Sequence, residues 1–135
     1  MVPDHTGHMW TATPGFPAHP FKRSTDYGAT WSDVPSVRGV VDVCFGKAAP
    51  GAAYPTLYIT GIVGEAQGIY RSVDEGSTWQ KMASGNAPDI MSYIWAMDAD
   101  KGIFGRLYYA VGGAGGFRYM KLKDEPAQPT RVRLS

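Results

Sequence analysis

A lone cysteine, Cys44, excludes any disulfide within the 135 residues. It stands inside an apolar strand-like run, Val40–Phe45, as a small core residue with no motif that would make it reactive. No apolar run approaches the ~20 residues of a membrane-spanning helix, so no helical span and no membrane partner is expected. Neither sign of charge is in excess. Thirteen Lys and Arg face twelve Asp and Glu, which leaves no electrostatic case for nucleic acid or an anionic membrane. Histidine is scarce: His5, His8 and His19. The first two stand three apart, and the third lies across a Pro-rich loop. A metal site needs further ligands on rigid elements, so neither metal nor cofactor is expected. Met1–Trp10 has no basic or apolar leader region, so it does not read as a signal peptide.

What the chain has is turns and rings. Gly 17, Pro 10 and 13% aromatic residues describe short strands joined by tight turns. With 44% apolar residues it can build a core of about one domain. One octapeptide stands twice. Ser24-Thr25-Asp26-Tyr27-Gly28-Ala29-Thr30-Trp31 and Ser72-Val73-Asp74-Glu75-Gly76-Ser77-Thr78-Trp79 share the frame S-x-D-x-G-x-T-W. A short carboxylate two places before glycine accepts hydrogen bonds from N–H groups further along. Gly28 and Gly76 supply the positive φ of a tight hairpin. Thr30 and Thr78 re-enter a strand, and Trp31 and Trp79 are large enough to anchor the turn on the sheet face. Short strands precede both copies, at Pro20–Arg23 and Gly68–Arg71. Asp26 and Asp74 are therefore read as turn locks, not as catalytic carboxylates.

From Ser24 to Ser72 is 48 residues, the length of one four-stranded propeller blade. The chain reads as all-β: a partial β-propeller of two to three four-stranded blades over residues 1–122, with a tail at 123–135. Strands are expected at 8–13, 21–24, 30–34, 37–45, 56–61, 69–72, 78–82, 90–97, 106–111 and 115–122, in meander order. A seven-bladed ring needs on the order of 330 residues. The chain holds one partial blade, one full blade and one further partial blade. Three arrangements stay open: a fragment of a ring, self-association that completes one, or a small open stack covered by the tail.

The octapeptide is similar to the Asp-box of sialidase-type propellers, which recurs in sialidases, sortilin-type receptors and many glycosidases. The residues after the first copy are more specific. Phe45-Gly46-Lys47-Ala48-Ala49-Pro50-Gly51, then Tyr54-Pro55-Thr56 and Tyr58, resemble the last blades of glycoside hydrolase family 74. These are the xyloglucanases and the reducing-end-specific oligoxyloglucan hydrolases. Gly105-Arg106-Leu107-Tyr108-Tyr109 is similar to that family's closing segment, and the resemblance covers about residues 7–119. Gly112–Gly116 lacks the arginine of an expected Gly-Arg-Gly turn, Ala83–Trp95 lacks an expected Gln-aromatic stretch, and Lys121–Ser135 matches nothing in the family. The resemblance thus implies a divergent relative.

A glycosidase needs two carboxylates flanking the scissile bond. In the family these come from blades far upstream, in two propellers facing across a cleft. No residue here matches either, so none is assigned a catalytic role. Asp42, Asp89, Asp98 and Asp100 have no partner visible in the sequence, and Asp98-x-Asp100 before Lys101-Gly102 reads as turn chemistry. Flat rings stack on pyranose faces, and Trp95, Tyr93 and Trp10 are the candidates for sugar contact. The resemblance implies a part of an enzyme acting on β-1,4-glucan, with plant cell-wall xyloglucan as partner. The chain would be scaffold or cleft wall in the carboxy-terminal piece of a longer, extracellular protein. The competing readings are a non-catalytic carbohydrate-binding or assembly module and a decayed fragment.

Overall fold

The computed structural model describes residues 1–12, 20–82, 94–111 and 117–120. Ten strands and no helix occur among them: β1 Met9–Thr11, β2 Lys22–Ser24, β3 Ser32–Asp33, β4 Val37–Gly46, β5 Thr56–Val63, β6 Ala66–Ser72, β7 Gln80–Lys81, β8 Ile94–Ala99, β9 Leu107–Val111 and β10 Phe117–Met120. They form three antiparallel sheets, ordered β1-β2-β3, β4-β5-β6-β7 and β10-β9-β8. Every strand pairs with its neighbour in sequence, which is the simplest way short turns can join strands. The expected all-β, propeller-type architecture is what the chain adopts.

The middle sheet has two covered faces. β5 is built of β-branched, aromatic and aliphatic residues, and Thr56–Gly61 is buried without a break. That run follows from alternation between two cores. Leu57 and Ile59 join Phe21 and Val34 of the first sheet's segment in one cluster. Tyr58 joins Cys44, Met97 and Leu107 in the other, and Thr60 Oγ1 lies 3.4 Å from Met97 Sδ. β4 carries a register shift between Val40 and Asp42. This bulge lets Val40 and Val43 share one face while Cys44 takes the other.

The second strand of each octapeptide hairpin is shorter than the expected 30–34 and 78–82. Thr30 and Thr78 stay in the turn, because their N–H and hydroxyl groups both bond to the aspartate. Of the expected strand 90–97, residues 94–97 lie in β8, and 90–93 belong to the stretch 83–93 outside the described residues. So do 112–116 and the whole of the 123–135 tail.

Gly61 is where β5 comes closest to β4. A Cβ there would stand 2.3 Å from Gly39 O and 3.2 Å from Val40 Cα, both backbone atoms. Gly61→Ala is therefore expected to destabilise the chain by about 1–3 kcal/mol. An unchanged urea midpoint would show that the two strands can part without cost.

Candidate functional site

The two octapeptides build the same turn. Ser24 Oγ donates to Asp26 Oδ1 at 2.8 Å and accepts from Gly28 N at 2.8 Å. Thr30 N donates to Asp26 Oδ1 at 2.8 Å and Thr30 Oγ1 to Oδ2 at 2.6 Å. In the second copy Ser72, Asp74, Gly76 and Thr78 repeat these four bonds at 2.8, 2.8, 2.9 and 2.5 Å. Both oxygens of each carboxylate are occupied. The Thr30 hydroxyl, then the Thr30 N–H and the Ser24 hydroxyl, hold Asp26 down to about 2. Burial pushes Asp74 up, but the bonds from Thr78 and Ser72 outweigh it and its pKa is lowered.

Glycine is only half of the turn's backbone. Tyr27 and Glu75, which precede Gly28 and Gly76, also have positive φ, near 60°. Two successive positive-φ residues closed by Ala29 N→Asp26 O and Ser77 N→Asp74 O match a type I′ turn. The sequence carries no signal for this at Tyr27 or Glu75.

The two tryptophans differ. Trp79 is half-buried against the core, its ring edge-on to Phe21 with centroids 6.1 Å apart. Trp31 is 36% exposed and folds back over its own Gly28. The expectation that both anchor on a sheet face thus holds for Trp79 and fails for Trp31. Trp79 has the first sheet in front of it, and Trp31 has no sheet there among the described residues.

Trp10 lies in the seam between the first two sheets. It stacks on Phe21 at 5.1 Å, and its indole N–H donates to Tyr54 Oη at 3.1 Å. Its ring closes so tightly on the second turn that a Cβ on Gly76 would stand 2.9 Å away. Arg23, just before Ser24, lies over the rings of Trp10 and Tyr54 and donates to Glu75 of the second turn. Arg71 holds the same place before Ser72 and lies 4.6 Å over Phe104.

The other candidates fall elsewhere. Tyr93 and the side chain of Trp95 lie outside the described residues. The start of β8, with Trp95, is at the end of the sheets away from the octapeptide turns. The end of β8 lies beside Gly46, where Lys47 N donates to Asp100 O. Trp10 and Trp95 are thus on opposite ends, and the fold does not bring them together. Asp98 pairs with Lys101, and Asp100 accepts from Gly102 N and Ile103 N. Both acids have partners that the sequence did not reveal, and Asp100 is the turn residue. Asp42 is half-buried, and desolvation raises its pKa. Asp89 and His19 are outside the described residues. His5 and His8 flank Tyr54, with His8 Nδ1 3.2 Å from Tyr54 Oη. Among the described residues no three His, Cys, Asp or Glu side chains gather.

Asp26 and Asp74 make a signed prediction about acid. Their folded-state pKa values lie below the unfolded value of ~3.9. Their contribution to stability is complete above that value and is lost as pH falls through the folded one, about 2 for Asp26. The melting temperature should fall between about pH 4 and 2, and fall less in the Asp26→Asn/Asp74→Asn double variant. Equal slopes would mean the turns do not govern acid unfolding. Burial also pushes the Cys44 thiol far up. It should be silent to a thiol reagent in the native chain and react on unfolding; fast native reaction would contradict its buried place.

No family profile matches the chain. Individual proteins do. It is 35% identical over 125 residues to Xyloglucanase Xgh74A of Acetivibrio thermocellus, a match covering 93% of this chain and 14% of that protein. A probable oligoxyloglucan-reducing end-specific xyloglucanase of Neosartorya fischeri is 33% identical over 119 residues, 83% of this chain and 14% of its own length. Among solved structures, the GH74 enzyme of Niastella koreensis superposes with a TM-score of 0.80 at 32% identity, covering 93% of this chain and 18% of that one. The GH74 xyloglucanase of Xanthomonas campestris follows at 0.66 and 29%, covering 87% and 15%. The chain spans only 11–14% of the curated relatives' length. In sequence and in backbone alike, this chain matches a segment of the glycoside hydrolase family 74 enzymes.

Proposed function

We propose that this chain serves as scaffold and one cleft wall of a xyloglucan-acting glycoside hydrolase, and that it carries neither catalytic carboxylate of that enzyme. The observation behind this reading is the 35% identity to a xyloglucanase across 93% of the chain. The acids add support. Asp26, Asp74 and Asp100 are committed to turns, and Asp33, Glu75 and Asp98 to ion pairs. A glycosidase needs two carboxylates free to face one bond. The substrate class is plant cell-wall xyloglucan or a related β-glucan, and the working compartment lies outside the cell.

Sugar contact is placed at Trp95 and Tyr93, where flat rings can stack on the apolar face of a pyranose. Trp10, at the other end of the sheets, is given to the seam. The second reading is a non-catalytic carbohydrate-binding module. It is favoured by the same commitment of the acids, since binding needs rings and not free carboxylates.

Purified chain tested against xyloglucan separates the readings. The expected result is no release of reducing ends, with retention of the polysaccharide in affinity electrophoresis. Trp95→Ala should weaken retention by about three- to tenfold, the worth of one stacked ring. Released reducing ends would overturn the absence of catalytic carboxylates. Retention unchanged by Trp95→Ala, with the melting temperature kept, would remove Trp95 from the sugar contact.

A further inference from the structure

The seams on the two sides of the middle sheet are built from the same three positions. Trp10 pairs with Arg23 and Tyr58 with Arg71, and these arginines stand directly before Ser24 and Ser72. Trp10 and Tyr58 are therefore counterparts. The third position is the ring beneath each arginine, Tyr54 in the first seam and Phe104 in the second. Tyr54-Pro55-Thr56-Leu57-Tyr58 and Phe104-Gly105-Arg106-Leu107-Tyr108 share the frame aromatic-x-x-Leu-Tyr, so Tyr54 and Phe104 are counterparts as well.

The seams differ by one hydroxyl. In the first, Tyr54 Oη accepts from Trp10 Nε1 at 3.1 Å, and the Arg23 guanidinium also faces it. In the second, Phe104 has no oxygen to offer. Tyr58 is fully buried there, and its Oη has no hydrogen-bond partner among the described residues. The Gly105 N–H and the Arg71 guanidinium face it, but both are donors and neither can take the hydroxyl proton. Burial pushes that proton's pKa up to about 12, so it stays on the oxygen and needs an acceptor. The ring cannot turn outward to find one. It packs with Cys44, Met97 and Leu107 and lies so tightly against Gly46 that a Cβ there would stand 2.9 Å from Tyr58 Cε2. Interiors meet such a group with ordered water, provided polar partners surround it.

We propose that the second seam binds a single internal water, in the place that the Tyr54 hydroxyl takes in the first. The water accepts the Tyr58 proton, and the Arg71 guanidinium is its second donor, as Trp10 and Arg23 are for Tyr54. It joins the middle and third sheets by the polar link that the Tyr54 hydroxyl makes between the first and the middle. The proposal rests on the repeat and on the buried hydroxyl and is independent of the glucan reading.

Oxygen-17 relaxation dispersion of the whole chain detects waters held inside the protein and is blind to hydroxyl protons. Proteins hold about one internal water per 27 residues, so 135 residues hold about five. Phe104→Tyr supplies the hydroxyl and should lower the dispersion amplitude by about a fifth. Tyr58→Phe removes the oxygen that binds the water and should lower it equally. Tyr54→Phe makes the first seam like the second and should raise it by the same step. Cooperative thermal unfolding identifies the variants that keep the fold. Unchanged amplitude in a folded Phe104→Tyr or Tyr58→Phe chain overturns the proposal. Where only one of the two folds, that one decides.

Discussion

Two-sided packing of the middle sheet is the constraint on which the other elements depend. β5 alternates between two cores, and each core is half made by another sheet. Remove the first sheet and Leu57, Ile59 and Tyr70 face water. Remove the third and Tyr58, Cys44 and Ile69 do. Burial of a large apolar side chain is worth about 1.5–3 kcal/mol, so neither loss is small against the 5–15 kcal/mol of a typical domain. The sheets are thus not independent units on a string. Their stability is a property of the stack, as in other repeat architectures, where interfaces between neighbours carry much of the energy.

The octapeptide turn links local and global order. Its serine, aspartate and threonine satisfy the turn internally, which frees its outer residues to reach across the seam. Arg23 crosses to Tyr54 and Glu75. Arg71 crosses to Phe104. In both cases the arginine before the serine meets an aromatic residue that precedes the next sheet's second strand by two or three positions. A guanidinium on a ring face is worth most when water is kept away, and Arg71 is only 8% exposed. Gly76 completes the fit, because only a residue without Cβ leaves room for the Trp10 ring.

Much of this was legible in the residues. The repeat frame placed the hairpins, and the run from Thr56 to Gly61 placed the central strand, which extends two residues further, to Val63, because both rest on local chemistry: turn geometry and side-chain shape. The roles of Asp26 and Asp74 were legible for the same reason. The seam was not. Nothing near Trp10 in sequence announces Tyr54 or Gly76, and a ring that packs looks the same in sequence as a ring that binds sugar. The positive φ at Tyr27 and Glu75 was hidden because neither residue type favours it. The unequal fates of Trp31 and Trp79 were hidden too, since the octapeptides are alike and only the neighbouring sheet differs.

The bonding of the aspartates bears on chemistry. A carboxylate that locks a turn has both oxygens held in hydrogen bonds, and a lowered pKa makes it a poor proton donor near neutral pH. The half-buried Asp42 is shifted the other way, but it sits on a bulged strand and its Oδ1 accepts from Val43 N. An acid pair for glycoside hydrolysis must be free, opposed and spaced across a bond. Asp26, Asp74 and Asp100 hold turns, Asp33, Glu75 and Asp98 hold ion pairs, and Asp42 sits at a bulge. Aspartate in these turns serves architecture, in a chain that spans about one seventh of the length of its curated relatives.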